Sequence, residues 1–193
     1  VVVFWSNARI SVRLDPPVPT TGDLVVTRGD NGRASVAGVT VTLGNEIPIT
    51  VSAGGSIQAA IDAAAPGSLI LVGPGTYDEL VVMWKPVRLQ GSGAATIISG
   101  LRLPPEELET WRQIVKSHVD NGDVDLLPGQ PGGAFDLVAG GLLGNEQGSG
   151  ITVLAKNDPG NVTGRSFLSS PSRIDGFTIT GADGGGGIFV NGY

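Results

Sequence analysis

The sequence predicts an all-β, turn-rich solenoid with a capping helix near its start and a helix-containing insertion. Three observations predict it. Short strands recur every few residues between 69 and 100 and again from 151, most of them ended by Gly or Pro. Strands this short and evenly spaced suit stacked repeats, each too small to fold alone. Glycine is abundant (31 residues) and proline common (13), yet 40% of the 193 residues are hydrophobic, an apolar content that disordered low-complexity chains lack. The apolar residues are mostly Val, Ile, Leu and Ala, which suit strands around a narrow core.

Residues 1–50 read as a separate β segment. Ile10, Val12 and Leu14 alternate toward one face before Asp15-Pro16-Pro17-Val18-Pro19 breaks the chain. Residues 24–27 and 36–43 read as two strands around Asp30-Asn31-Gly32, because both positions of an Asn-Gly turn tolerate positive φ. Residues 51–193 read as the repeats, opened by a capping helix over 56–65. Ser56 is its N-cap, and Ile57, Ala60, Ile61 and Ala64 form one apolar stripe that Pro66-Gly67 ends.

Strands then follow at 69–72, 80–83, 87–90 and 96–99. Residues 101–149 interrupt them as an insertion packed on the outside. Pro104-Pro105-Glu106-Glu107 starts its helix with acids where the dipole favours them, Leu108, Trp111, Val115 and Val119 share a face, and Asp120-Asn121-Gly122 closes it. The strand rhythm resumes at 151–154, 174–181 and 187–192.

Three stretches carry a family resemblance. One is Ser56-Ile57-Gln58-Ala59-Ala60-Ile61-Asp62 running into residues 65–77. The second is Lys85-Pro86-Val87-Arg88-Leu89-Gln90-Gly91-Ser92-Gly93. The third is Ile174-Asp175-Gly176-Phe177-Thr178-Ile179-Thr180-Gly181 with Gly186-Gly187-Ile188-Phe189-Val190. In these stretches, about half of the chain, the sequence resembles the N-terminal part of the right-handed parallel β-helix family, the pectin-lyase-like superfold. The resemblance implies an N-terminal capping helix over the bare edge of the first coil. It also implies that another subunit or more of the parent chain covers the last coil near Tyr193. It does not fix an activity, because the superfold hosts many.

Polysaccharide lyases and hydrolases of that superfold carry acidic and basic groups on a strand face. The strand-associated candidates here are Asp78, Glu79, Lys85, Arg88, Arg173, Asp175 and Asp183. Asp78-Glu79 is the adjacent acidic pair, but neighbours on a strand point to opposite faces and make a poor acid/base pair. Solvated turn residues account for them better, and no catalytic residue is assigned. Asp120, Asp123 and Asp125 offer oxygen ligands for calcium without the spacing or distal Glu of an EF-hand, and a helix end and turn explains them as well. His118, the single histidine, cannot build a His-rich metal site and suits a helix C-terminus. Arg28-Gly29-Asp30 spells an adhesion tripeptide of a length that arises by chance. Asn161-Val162-Thr163 is a glycosylation acceptor only in a eukaryotic secretory pathway. Gly184-Gly185-Gly186-Gly187 lacks the Lys-Ser/Thr of a phosphate loop and reads as a turn.

The net charge of −6 and the absence of a Lys/Arg cluster disfavour nucleic acid as a partner. No stretch approaches the roughly 20 apolar residues of a membrane span. With no cysteine there are no disulfides, thiolate nucleophiles or Cys metal sites, which fits a bacterial extracellular, cell-surface or periplasmic protein but also many cytosolic ones. Two functions follow as expectations. The first is a non-catalytic extracellular scaffold, assembly or glycan-binding segment. The alternative is the N-terminal part of a polysaccharide-degrading enzyme whose catalytic coils lie beyond residue 193.

Overall fold

The computed structural model describes residues 2–6, 9–13, 20–35, 39–44, 46–101, 105–124, 148–155, 167, 172–182 and 186–191. The chain divides into two compact units, Val1–Glu46 and Ile47–Tyr193. It is mostly β, with parallel sheets in the second unit and two helices among the described residues.

In the first unit, β1 (Val2–Trp5) pairs antiparallel with β2 (Ile10–Val12), and β3 (Thr20–Leu24) with β4 (Val39–Leu43). The second hairpin lies further from the Asn-Gly turn than the strand pattern predicts. Thr27 and Ala34 make an isolated bridge, Arg28 N–H donates to Arg33 C=O (2.8 Å), and Gly32 N–H donates to Arg28 C=O (2.9 Å). Only Gly32 takes a left-handed φ (+68°), and Asn31 instead turns its side chain to accept from Arg33 N–H (3.0 Å). An Asn that bonds its own backbone makes a wider loop than the two-residue turn expected. Leu14 and residues 36–38 lie outside the described residues.

The second unit begins with β5 (Ile49–Val51), which pairs with β6 and so belongs to the sheets that follow it. Helix α1 (Ile57–Ala63) comes next, its N-cap Ser56 accepting from Ala59 N–H as the sequence predicts. The remaining strands are β6 (Leu69–Val72), β7 (Gly75–Tyr77), β8 (Val81–Met83), β9 (Arg88–Gly91), β10 (Thr96–Ser99), β11 (Ile151–Leu154), β12 (Arg173–Asp175), β13 (Thr178–Thr180) and β14 (Ile188–Asn191). Helix α2 (Pro105–Asp120) stands between β10 and β11. Strand β7 was hidden from the sequence pattern by its Gly-Thr-Tyr composition. The single strand expected over 174–181 is broken in two by Gly176, whose φ of +73° makes a corner.

Pairing is parallel and one to one. Strands β6, β7 and β8 pair with β9, β10 and β11, and those pair with β12, β13 and β14. Three sheets result, ordered β12-β9-β6-β5, β13-β10-β7 and β14-β11-β8. Register partners place like residues in columns, such as Ile70, Leu89 and Ile174, or Tyr77, Ile98 and Ile179. These columns meet Ile57 and Ile61 of α1 in one core. Each large aliphatic so buried contributes about 1.5–3 kcal/mol. A second cluster joins Leu80, Val82 and Leu154 to Trp111 and Val115 of α2, so the helix covers the other face of the β8–β11 sheet. Gly122 (φ +69°) ends α2, with its N–H on Val119 C=O and that of Asp123 on His118 C=O.

The corner at Gly91 has no room for a side chain, because an added Cβ would strike the carbonyl of Gly176 in the next strand layer. Gly91→Ala should therefore cost on the order of 4 kcal/mol, roughly 10 °C in Tm. Gly93→Ala, in open space at φ +86°, should cost only about 1–2 kcal/mol for the left-handed backbone. Denaturant unfolding of both variants checks the ranking, and equal losses would count against the close approach of layers.

Candidate functional site

The site is built around α1. Glu79, in the β7–β8 connection, accepts Ile57 N–H at Oε1 (2.7 Å) and Gln58 N–H at Oε2 (3.2 Å), and Ser56 Oγ donates to Oε2 (3.0 Å). These are the orphan donors of the first helical turn, where a carboxylate is also favoured by the helix dipole. At the other end Lys85 Nζ donates to Asp62 C=O (2.8 Å) and Ala64 C=O (2.6 Å). Gln58 lays its amide along β8, accepting Val82 N–H (2.7 Å) and donating to Val82 C=O (3.2 Å). Glu79 and Lys85, two of the catalytic candidates, thus hold a helix by its two ends.

Beside this clamp opens a cleft of about 500 Å³. Ser56 and Gln58 line it from α1, Asp78 and Glu79 from the β7–β8 connection, and Glu107 and Trp111 from α2. Glu79 accepts three hydrogen bonds from residues 56–58. Asp78 is exposed and Glu107 half-buried, and neither makes a hydrogen bond or ion pair among the described residues. Trp111 is 6% exposed, and its buried indole N–H has no partner among the described residues. Sequence periodicity placed Trp111 on a core-facing stripe. It missed the cleft because the walls come from three segments distant along the chain.

The other candidates fall elsewhere. Arg88 pairs in register with Arg173, and Gln90 with Asp175, on neighbouring strands β9 and β12. Arg173 donates to Gln90 Oε1 (3.2 Å) and stands 3.4 Å from Asp175 Oδ1, while Arg88 donates to Gly67 C=O (3.0 Å). Asp183, the acceptor at 161–163 and residues 184–185 lie outside the described residues. Arg28 and Asp30 of the tripeptide pair with each other in an exposed turn. Of the calcium candidates, Asp120 pairs with Lys116, Asp123 faces His118 Nδ1 at 3.1 Å, and Asp125 lies outside the described residues. His118 also stacks on Trp84 (4.2 Å between centroids), which meets Lys85 Nζ over its ring and donates its indole N–H to Asp62, so it helps dock α2. Among the described residues no three His, Asp or Glu side chains gather as a metal site, and no helix is long and apolar enough to cross a membrane.

Tyr77 sits beneath the cleft, donating its hydroxyl to Gly73 C=O (3.0 Å). Burial, and then the Glu79 carboxylate, hold its pKa above the ordinary 10.0. A pKa raised by folding contributes stability that is complete below the unfolded value and lost as pH rises through the folded one. Wild type should therefore lose stability above about pH 10 faster than Tyr77→Phe, which itself costs about 1 kcal/mol at neutral pH through the lost hydrogen bond. Paired unfolding curves across that range decide it. Glu79→Ala should cost about 2–3 kcal/mol by leaving two helix donors unpaired, read by urea unfolding. Compared with protein-family models, with curated proteins and with solved structures, the chain matches none.

Proposed function

We propose that residues 47–193 form the opening coils of a right-handed parallel β-helix that serves, without catalysis, as a scaffold with a glycan-binding surface outside a bacterial cell. The observation that carries this reading is the strand-by-strand parallel pairing of three successive triplets. Each triplet is then one coil, and the right hand follows from the strong preference of parallel crossover connections. The long insertion enters at the corner between β10 and β11, the same corner that residues 78–80 turn one coil earlier. Strands β12, β13 and β14 each have a neighbour on one side only among the described residues. We place the assembly partner there, as further coils of the parent protein or another subunit.

The absence of catalysis rests on how the carboxylates are used. Glu79 caps α1, Asp175 pairs with Arg173, and Asp78 is exposed to water. Calcium has no part in this reading, since Asp120 and Asp123 already have side-chain partners. A second reading, the opening of a polysaccharide-degrading enzyme with catalytic coils further along, is favoured by one feature. Arg88, Gln90, Arg173 and Asp175 form two polar rows across stacked strands.

Two measurements test the proposal. Amides of β9 and β10, paired on both sides, should exchange hydrogen most slowly, and those of β12 and β13 about tenfold or more faster. Uniform exchange would count against stacked coils. Incubated with insoluble polysaccharides, the protein should be retained without releasing reducing ends or unsaturated products. Released product would replace the scaffold reading with the enzyme.

A further inference from the structure

We infer that Asn31 is a self-modification site, where the chain converts its own carboxamide to aspartate or isoaspartate with water as the only co-reactant. Hydroxide first removes the Gly32 amide proton. The Gly32 nitrogen then attacks the side-chain carbonyl carbon of Asn31, forming a new N–C bond and sending the carbonyl electron pair to Oδ1. As that pair returns, the bond to the side-chain nitrogen breaks, and ammonia leaves with a proton from water, which restores the hydroxide. Water opens the resulting cyclic imide at either carbonyl. Opening at the side-chain carbonyl gives aspartate, and opening at the backbone carbonyl gives isoaspartate, whose main chain runs through the side chain and is longer by a methylene.

The chemistry needs a following residue without a side chain, water at the site, and a donor for the oxygen on which charge develops. Asn31 has each of them. A Cβ built on Gly32 meets nothing, so the approach to its nitrogen is open. Asn31 stands exposed in the turn between the bridge partners Thr27 and Ala34. Its Oδ1 accepts Arg33 N–H (3.0 Å), which sets a donor in advance on the oxygen that becomes an oxyanion. The ring closed by that bond contains both the carboxamide carbon and the Gly32 nitrogen, so electrophile and nucleophile are kept in one tight turn.

The same dipeptide at Asn121-Gly122 is also exposed and also follows an aspartate, and there the structure withholds the donor. The amide two residues on, Asp123 N–H, is spent on His118 C=O (2.9 Å) in closing α2, and Asn121 N–H is held by Ser117 C=O (2.9 Å). The glycine N–H does not separate the two sites, since it donates to Arg28 C=O (2.9 Å) in one and to Val119 C=O (3.0 Å) in the other. They differ in where the amide two residues on is directed, to the side-chain oxygen in the turn and to a helix carbonyl in the cap. A third pair, Asn191-Gly192, has its asparagine buried and its glycine outside the described residues. Conversion at Asn31 puts another carboxylate beside the Arg28–Asp30 ion pair. The isoaspartate also lengthens the main chain inside a loop closed by Arg28 N–H on Arg33 C=O (2.8 Å), so the modified turn loosens.

Incubation of the full chain at mildly alkaline pH, well below its melting temperature, followed by peptide mapping tests the inference. Mass reads conversion at each asparagine, and methyl labelling with an isoaspartyl methyltransferase reads the isoaspartate. The folded chain should convert Asn31 about tenfold or more faster than Asn121, at a rate that rises with hydroxide. In urea, with the turn and the helix both lost, the two rates should come within about threefold. Asn31→Gln, longer by a methylene, should remove the fast site, and the Arg28 and Ser35 amides should exchange hydrogen faster in the aged protein than in the fresh one. Equal rates in the folded chain, or faster conversion at Asn121, would overturn the assignment. A tenfold gap that persists in urea would trace the reactivity to sequence and overturn the role of the fold. An Asn31 that stays intact when folded and reacts only in urea would show that the turn protects it, and would overturn the inference as well.

Discussion

Strand β8 is the first strand of its sheet, and the backbone groups on its outer edge have no strand to pair with. Gln58 answers them, its side-chain amide both accepting from and donating to Val82 as a neighbouring strand would. A free parallel edge otherwise templates aggregation, and this pair of hydrogen bonds covers the edge of β8 at Val82. Gln58 reaches β8 only because α1 is held square across it. The helix has seven residues, far too few to persist alone in water, and it persists because both ends are tied to the chain that flanks β8. Glu79 precedes that strand and Lys85 follows it, each matched in charge to the helix end it meets.

That arrangement changes the meaning of the charged residues. In a strand-rich chain with few charges, an acidic pair and a nearby lysine invite a catalytic interpretation. Here the lysine is 6% exposed and bound to carbonyls, and the glutamate accepts two backbone N–H groups and a hydroxyl. Both are structural in the same way that Ile57 and Ile61 are: remove any one and the lid over the first strands loosens. Asp78 has no such duty. At the corner between β7 and β8 one acid is committed to the fold while its neighbour is left to solvent at the cleft.

Local rules made most elements legible. The Ser56 cap, the aliphatic stripe of α1, the acidic start and Gly122 stop of α2, and the β-branched runs at 69–72 and 96–99 all sit where sequence chemistry places them. What escaped was set by contacts distant in sequence. Gly75-Thr76-Tyr77 has no strand signature and is extended because it pairs with Thr96-Ile97-Ile98. Gly176 falls inside the stretch 174–181 expected as one strand and proves to be a corner at φ +73°, with no room for a side chain against the backbone of Gly91. The cleft was illegible for the same reason. Nothing in residues 76–80 indicates that a helix some thirty positions later will stand over them, or that a tryptophan facing the core will leave its N–H without a partner.

Columns such as Ile70, Leu89 and Ile174 pack into one core between the parallel sheets. Binding volume must be added at corners, where an insertion does not disturb the register of layers. Helix α2 enters at such a corner and anchors through Trp111 and Val115 on Leu80, Val82 and Leu154. The anchor and the cleft wall are therefore the same residue. Its apolar ring is required to seat the helix, while its polar edge gains nothing from that role, and this mismatch is what a structural explanation of Trp111 leaves over. A leucine or phenylalanine would seat α2 without burying an unanswered donor, at a saving of about 1–3 kcal/mol.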